Sequence, residues 1–154
     1  VPADKIAILY VDDEENNLFS FKATFRIKYE VLTALGGDEA LKILTTNKVQ
    51  IIITDQRMPK MTGVEFLEKV LDNFPDSIRI LLTGYADMGA VVDAVNKGKI
   101  FHYMTKPWNE EDMDLAINAA YSAYLEKAQL KEMNEKLEGS NDQLEFLLRQ
   151  KLLS

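Results

Sequence analysis

Asp12 and Asp13 end the apolar run from Ile6 to Val11, and Asp55 closes Ile51-Ile52-Ile53-Thr54. Thr83 closes Ile78 to Leu82, and Lys106 comes just after Ile100 to Met104. Three carboxylates, a hydroxyl and an ammonium are the groups that a hard cation and a phosphoryl oxygen call for. An all-oxygen donor set suits Mg²⁺, which keeps several of its own waters. Adjacent carboxylates repel, so Asp12 and Asp13 need a cation or a nearby lysine to stay ionised together. A carboxylate after three isoleucines, as at Asp55, is costly unless neutralised or coordinated. Each residue also has a plainer use: Asp13, Glu14 and Glu15 as helix caps, Lys106 as a surface lysine, Thr83 as a strand former. Their shared position at the ends of apolar runs is what points to a Mg²⁺-dependent phosphate site.

Those runs alternate with helical patterns, which predicts an α/β fold with a parallel sheet covered on both faces. In such sheets the ligand crevice lies beyond the carboxyl ends of the strands, so residues far apart in sequence converge there. Strands are expected at about 6–11, 29–34, 50–54, 78–83 and 100–104. Helices are expected at about 15–27, 38–46, 62–73 and 87–97, with a long one from about 110. The punctuation agrees: Gly36-Gly37 precede the second helix, and Thr62 with Glu65 form a capping box for the third. Gly98 ends the fourth, and Asn109 caps the fifth, with Glu110 and Glu111 in its first turn. Trp108 is expected at the start of that last helix, and the Phe and Met residues in the core. His102 has no partner at metal-ligand spacing and reads as a strand residue.

A chain of 154 residues suffices for one core domain and an appendage. A hydrophobic fraction of 47% and a charged fraction of 28% are those of a globular protein. With no cysteine, disulfide and thiolate chemistry are excluded, and a cytoplasmic location is compatible. Apolar runs far short of the roughly 20 residues of a membrane span argue against membrane insertion. A net charge of −7 argues against direct nucleic-acid contact by this fragment. Starting at Val1 and ending inside a helical pattern, the chain reads as a piece of something longer.

Beyond about residue 124 the pattern changes. Leu130, Leu137 and Leu144 recur every seven residues, with Asn134, Asn141 and Leu148 four residues after each. Leucine at d and asparagine at a specify a parallel two-stranded coiled coil whose buried amides set the register. A shifted frame instead puts Met133, Ser140 and Leu147 in the second seam position. Gly139 costs about 1 kcal/mol in a helix interior and could mark a break. A single amphipathic helix folding back on the domain is the alternative. The expected organisation is a domain over 1–124 and a helical coiled-coil linker over 125–154.

The chain resembles the receiver domain of two-component response regulators. Asp12-Asp13, Asp55 with Met58-Pro59 and Gly63, Thr83-Gly84, Tyr103 and Lys106-Pro107 carry the resemblance, over roughly 5–124. It implies a flavodoxin-like (βα)5 three-layer sandwich with strand order 2-1-3-4-5, to which the heptad pattern adds an extended C-terminal helix. Asp55 would be the phosphoacceptor, supplied by a sensor histidine kinase or a phosphotransfer protein. Mg²⁺ would be held by Asp13, Asp55 and the Arg57 backbone carbonyl, with Asp12 acting mostly through water. Lys106 would bind a phosphoryl oxygen, and the Lys106-Pro107 peptide would be cis. Thr83 and Tyr103 would be the switch pair, moving together and changing the surface of the fourth helix, fifth strand and fifth helix. Arg57 and Tyr85, each two residues past a site residue, would shield the acyl phosphate from water and set its lifetime. The motifs around Asp55, Thr83 and Lys106 are similar to those of receivers fused to cyclic-dinucleotide enzymes or activator ATPases, which implies an output domain beyond the linker.

Two other functions compete with a receiver. A Mg²⁺-dependent phosphohydrolase with Asp55 as nucleophile would want a second carboxylate two residues on, where this chain has Arg57. A purely structural dimerisation protein would leave the acidic edge idle.

Overall fold

The computed structural model describes residues 5–153, apart from the side chains of Tyr85 and Leu153. Strands β1 (Ala7–Val11), β2 (Glu30–Ala34), β3 (Ile51–Asp55), β4 (Ile78–Thr83) and β5 (His102–Thr105) form one parallel sheet in the order β2-β1-β3-β4-β5. The helices are α1 (Glu15–Phe25), α2 (Gly37–Thr46), α3 (Gly63–Asn73), α4 (Met88–Asn96) and α5 (Glu110–Leu153), with a 3₁₀ turn at Tyr85–Asp87 before α4. The chain divides into two units, Val1–Tyr124 and Leu125–Ser154. This is the flavodoxin-like architecture expected from the resemblance. The fifth strand starts two residues later than its apolar run, although the Phe101 N–H already donates to the Arg79 carbonyl of β4 at 2.8 Å.

Every residue of β1, β3 and β4 is buried, as for strands covered on both faces. The two-residue pleat sorts their side chains into two cores. Leu9, Val11, Ile52 and Leu81 face one way and pack with Ala40 and Leu44 of α2, Phe66, Leu67 and Val70 of α3, and Val91 and Ala94 of α4. Ile8, Tyr10, Ile51, Ile53, Ile80 and Leu82 face the other way. They meet Leu18, Phe21 and Phe25 of α1 and Met113, Ile117 and Ala120 of α5. Each fully buried aliphatic side chain contributes about 1.5–3 kcal/mol.

The expected punctuation is present. Thr62 and Glu65 exchange both bonds of a capping box, and the Asn109 side chain accepts from the Asp112 backbone at 2.8 Å. Gly98 follows α4 with φ of +73°, a conformation glycine adopts without a Cβ penalty. Gly139 breaks nothing, since α5 runs through it. The expectation that Phe and Met lie in the core needs correction. Phe19, Phe101, Met133 and Phe146 are exposed. Phe21 and Phe25 are four apart on the buried face of α1, and Phe19 falls outside that stripe.

Candidate functional site

Strand register builds the site. Val11 pairs with Thr54, so Asp12 and Asp55 come one step later on neighbouring strands. Asp55 pairs with Leu82, and Thr83 with Thr105, which puts Thr83 and Lys106 just beyond on the same edge. Three backbone bonds extend the ladder past the strand ends: Asp12 N to Ala34 O at 3.2 Å, Gln56 N to Leu82 O at 3.0 Å and Lys106 N to Thr83 O at 3.0 Å.

Asp12, Asp13 and Asp55 each offer a carboxylate oxygen, and these oxygens lie within 4.8 Å of one another. Asp12 and Asp55 are buried, whereas Asp13 is exposed. The Lys106 ammonium sits 2.5 Å from Asp55 Oδ1. The Lys106-Pro107 peptide that follows is cis, as the resemblance implied. Asp12 accepts from the Glu14 backbone N–H and from Asn17 Nδ2, each at 3.0 Å. Burial raises the Asp12 carboxyl above the usual carboxylate range and the charge of Asp55 adds to it, against these two hydrogen bonds and Lys106. A buried carboxylate pushed toward protonation by a like charge is one a cation would relieve. The donor set is all oxygen and fits Mg²⁺. Tyr10, beneath this group, is raised far above its ordinary phenol value by burial first and then by Asp12, so it stays neutral.

Gly63 explains how the loop after Asp55 closes. Its N–H bonds to Gln56 O at 3.0 Å, and a Cβ there would collide with the Asp55 carbonyl and with Leu81. Gln56 itself is buried, and its side chain accepts from Val64 N at 2.9 Å, pinning the start of α3 to the residue after Asp55. Two clefts flank Lys106. One of about 300 Å³ is lined by Asp55, Arg57, Gly84, Asp87 and Lys106. The other, about 420 Å³, is lined by Asp12, Asn17, Ser20, Pro107 and Trp108 along with Lys106. Trp108 closes that side by packing on Phe21 and Phe25, with ring centroids 5.8 and 5.9 Å apart.

Thr83 is fully buried, and its hydroxyl donates to the Gly84 carbonyl at 3.0 Å. Tyr103 pairs with Leu81, two residues before Thr83, so Tyr103 and Thr83 share one face of the sheet. Its ring is half-buried against the core under α4. Arg57 lies at the mouth, but its Nε donates to Asp87 at 3.0 Å. The side chain of Tyr85 lies outside the described residues. Asn17, Gln56 and Asp87 were not anticipated as site residues. Asn17 had a weak signal, being a polar residue in the first turn after Asp12-Asp13; Asp87 had none, because its partner is 30 residues away.

In the second unit, Leu130, Leu137, Leu144 and Leu148 are 58–60% exposed. Met133 and Leu147 of the alternative frame are equally exposed, at 60% and 61%. No helix among the described residues is long and apolar enough to cross a membrane.

The family profile of the response regulator receiver domain matches residues 8–118. The hydrogenase transcriptional regulatory protein HoxA of Cupriavidus necator is 34% identical over 153 residues, which is 99% of this chain and 32% of that protein. The chain thus spans about a third of that relative. A crystal structure of adenylate cyclase from Rhodopirellula baltica superposes with a TM-score of 0.83 at 33% identity, covering 86% of this chain and 98% of that one. The response regulator protein TrrA from Thermotoga maritima, solved in complex with Mg²⁺ and BeF, superposes with a TM-score of 0.67 at 28% identity, covering 75% and 98%. Register, carboxylate cluster, lysine contact and sequence similarity converge: the chain belongs to the response regulator receiver family, as a phosphorylation-dependent signalling module and not a dedicated enzyme.

Proposed function

We propose that Asp55 is the phosphoacceptor of this switch and that Lys106, Asp12 and Asp13 are its catalytic surroundings. The observation that carries this reading is the Lys106 ammonium 2.5 Å from Asp55 Oδ1, beside two further carboxylates. Receiver domains accept phosphoryl groups from histidine kinases, so the donor is a phosphohistidine on a sensor kinase or phosphotransfer protein. The carboxylate oxygen of Asp55 attacks phosphorus, and the P–N bond to the donor imidazole breaks, leaving an aspartyl phosphate. Lys106 holds one phosphoryl oxygen, having exchanged the carboxylate oxygen it now touches. Asp12, Asp13 and Asp55, with the Arg57 backbone carbonyl, are the residues that would hold Mg²⁺. When bound, the ion supplies charge neutralisation for the transferring group. Asn17 and the Glu14 N–H orient Asp12 toward that position.

The new phosphate adds roughly −1.5 to −2 charges at the sheet edge. Thr83 is one residue beyond the strand position paired with Asp55, and its hydroxyl can leave the Gly84 carbonyl for a phosphoryl oxygen. Tyr103, on the same face, takes up the space that movement opens. The shift is a change of population between two packings, limited by the contacts the phosphate makes differently in each. The phosphohydrolase alternative is not favoured, since Arg57 occupies the position where a second carboxylate would act.

The assignment of residues 1–124 as receiver and 125–154 as linker follows the same reading. Exposed leucines at heptad spacing support a parallel homodimer through the linker, controlling an output domain of a cytoplasmic protein. The acidic balance supports a fragment that makes no direct nucleic-acid contact.

Incubation with radiolabelled acetyl phosphate and Mg²⁺ tests the assignment. One label per chain is expected, lost in Asp55→Asn and on chelation. Undiminished labelling of Asp55→Asn, or repeated turnover of phosphomonoesters, would reject it.

A further inference from the structure

Arg57 and Asp87 line the same cleft as Asp55 and Lys106, and they are joined across it at 3.0 Å. Asp87 is the N-cap residue of α4, a position where aspartate ordinarily accepts from the first free N–H groups of the helix. Here it makes no such bond; its carboxylate is engaged by Arg57 instead. The Arg57 side chain is 72% exposed and that of Asp87 is 23% exposed. An ion pair with one partner so open to water is weak and easily exchanged. The bond uses Nε, the inner guanidinium nitrogen.

We propose that Arg57 and Asp87 form an exchangeable pair that reports the charge on Asp55 to α4. With a phosphoryl group on Asp55, Arg57 turns from the carboxylate of Asp87 to the phosphoryl oxygens. Three oxygens carrying up to two charges are the better partner for a planar guanidinium. Asp87, released, turns onto the N–H groups at the start of α4 and caps the helix. The phosphoryl group thus reaches α4 by a route separate from Thr83 and Tyr103. Asp87 is a positioning residue on this account. The inference rests on Asp55 being the acceptor.

Beryllofluoride with Mg²⁺ serves as the phosphoryl probe, and Trp108, the one tryptophan, as the fluorescent reporter beside Lys106. Asp87→Asn frees Arg57 and should tighten binding about threefold, the scale of one exposed ion pair. Arg57→Ala should weaken binding, and adding Asp87→Asn to it should change nothing further. An Asp87→Asn effect of equal size in both backgrounds would be plain charge removal and would overturn the exchange. Amide hydrogen exchange at Met88, Gly89 and Ala90 should slow when beryllofluoride binds the parent protein but not Asp87→Ala. Equal slowing in both would overturn the capping step. If Asp55→Asn bound the probe as well as the parent, the acceptor assignment itself would fall, and this coupling with it.

Discussion

The carboxyl edge of the sheet and the helix beyond Leu125 each pay a solvation cost of opposite kind. At the edge, charge is taken from water: Asp12 is 1% exposed and Asp55 5%. In the helix, apolar carbon is given to water: Leu130, Leu137 and Leu144 are 58–60% exposed. Globular chains avoid both arrangements unless something compensates. At the edge, compensation begins within the unit, through Lys106, Asn17 and the Glu14 N–H, and a divalent ion would complete it. For the helix, a second copy with the same seven-residue leucine pattern would supply it. On the proposed reading, the two costs mark two different kinds of binding surface, one for a small hard cation and a phosphate, the other for an apolar helix face.

The largest effect should come from removing the chemistry. Asp55→Asn should abolish labelling by acetyl phosphate, while Lys106→Ala should slow it about a hundredfold, the usual cost of one preorganised charge-stabilising donor. Neither should alter the self-association measured by sedimentation; if both did, the two regions would not be separate devices. Conversely, Leu137→Asp with Leu144→Asp should weaken dimerisation at least about a hundredfold, given roughly 1.5–3 kcal/mol for each buried leucine. Labelling per chain should persist, and a dimer that survived would place the association elsewhere.

Gly63→Ala sharpens the contrast from the packing side. Its new methyl would press on the Asp55 carbonyl and Leu81, costing about 1–3 kcal/mol of stability in thermal melts and slowing labelling. The leucine helix should be untouched. The smallest effect concerns protons. Because the Asp12 carboxyl is raised, the folded protein retains a proton that the unfolded chain has released between the ordinary and the raised value. Metal-free stability should therefore fall as pH rises through that interval. Mg²⁺ competes with that proton, so its affinity should fall as pH is lowered, and saturating Mg²⁺ should flatten or invert the slope of melting temperature against pH. A slope unchanged by Mg²⁺ would remove Asp12 from the cation site.

Sequence by itself determined the frame of this protein. Short, β-branched apolar runs alternating with helical patterns read as strands buried on both faces, so the sheet and the carboxylates and lysine at its edge were legible from Ile51-Ile52-Ile53 and its counterparts. Seven-residue leucine spacing likewise marked the tail as a different kind of segment. Tertiary structure alone decided which polar groups meet. Asp87 meets Arg57 because the loops after β3 and β4 are set side by side by the register of those strands, and Gln56 reaches Val64 because the loop after β3 folds back onto the start of α3. It also decided which aromatics are covered, since Phe21 and Phe19 differ not in hydrophobicity but in the face of α1 they occupy. Periodicity is written locally in the chain, whereas side-chain partnerships across loops depend on distances that exist only after the sheet has formed.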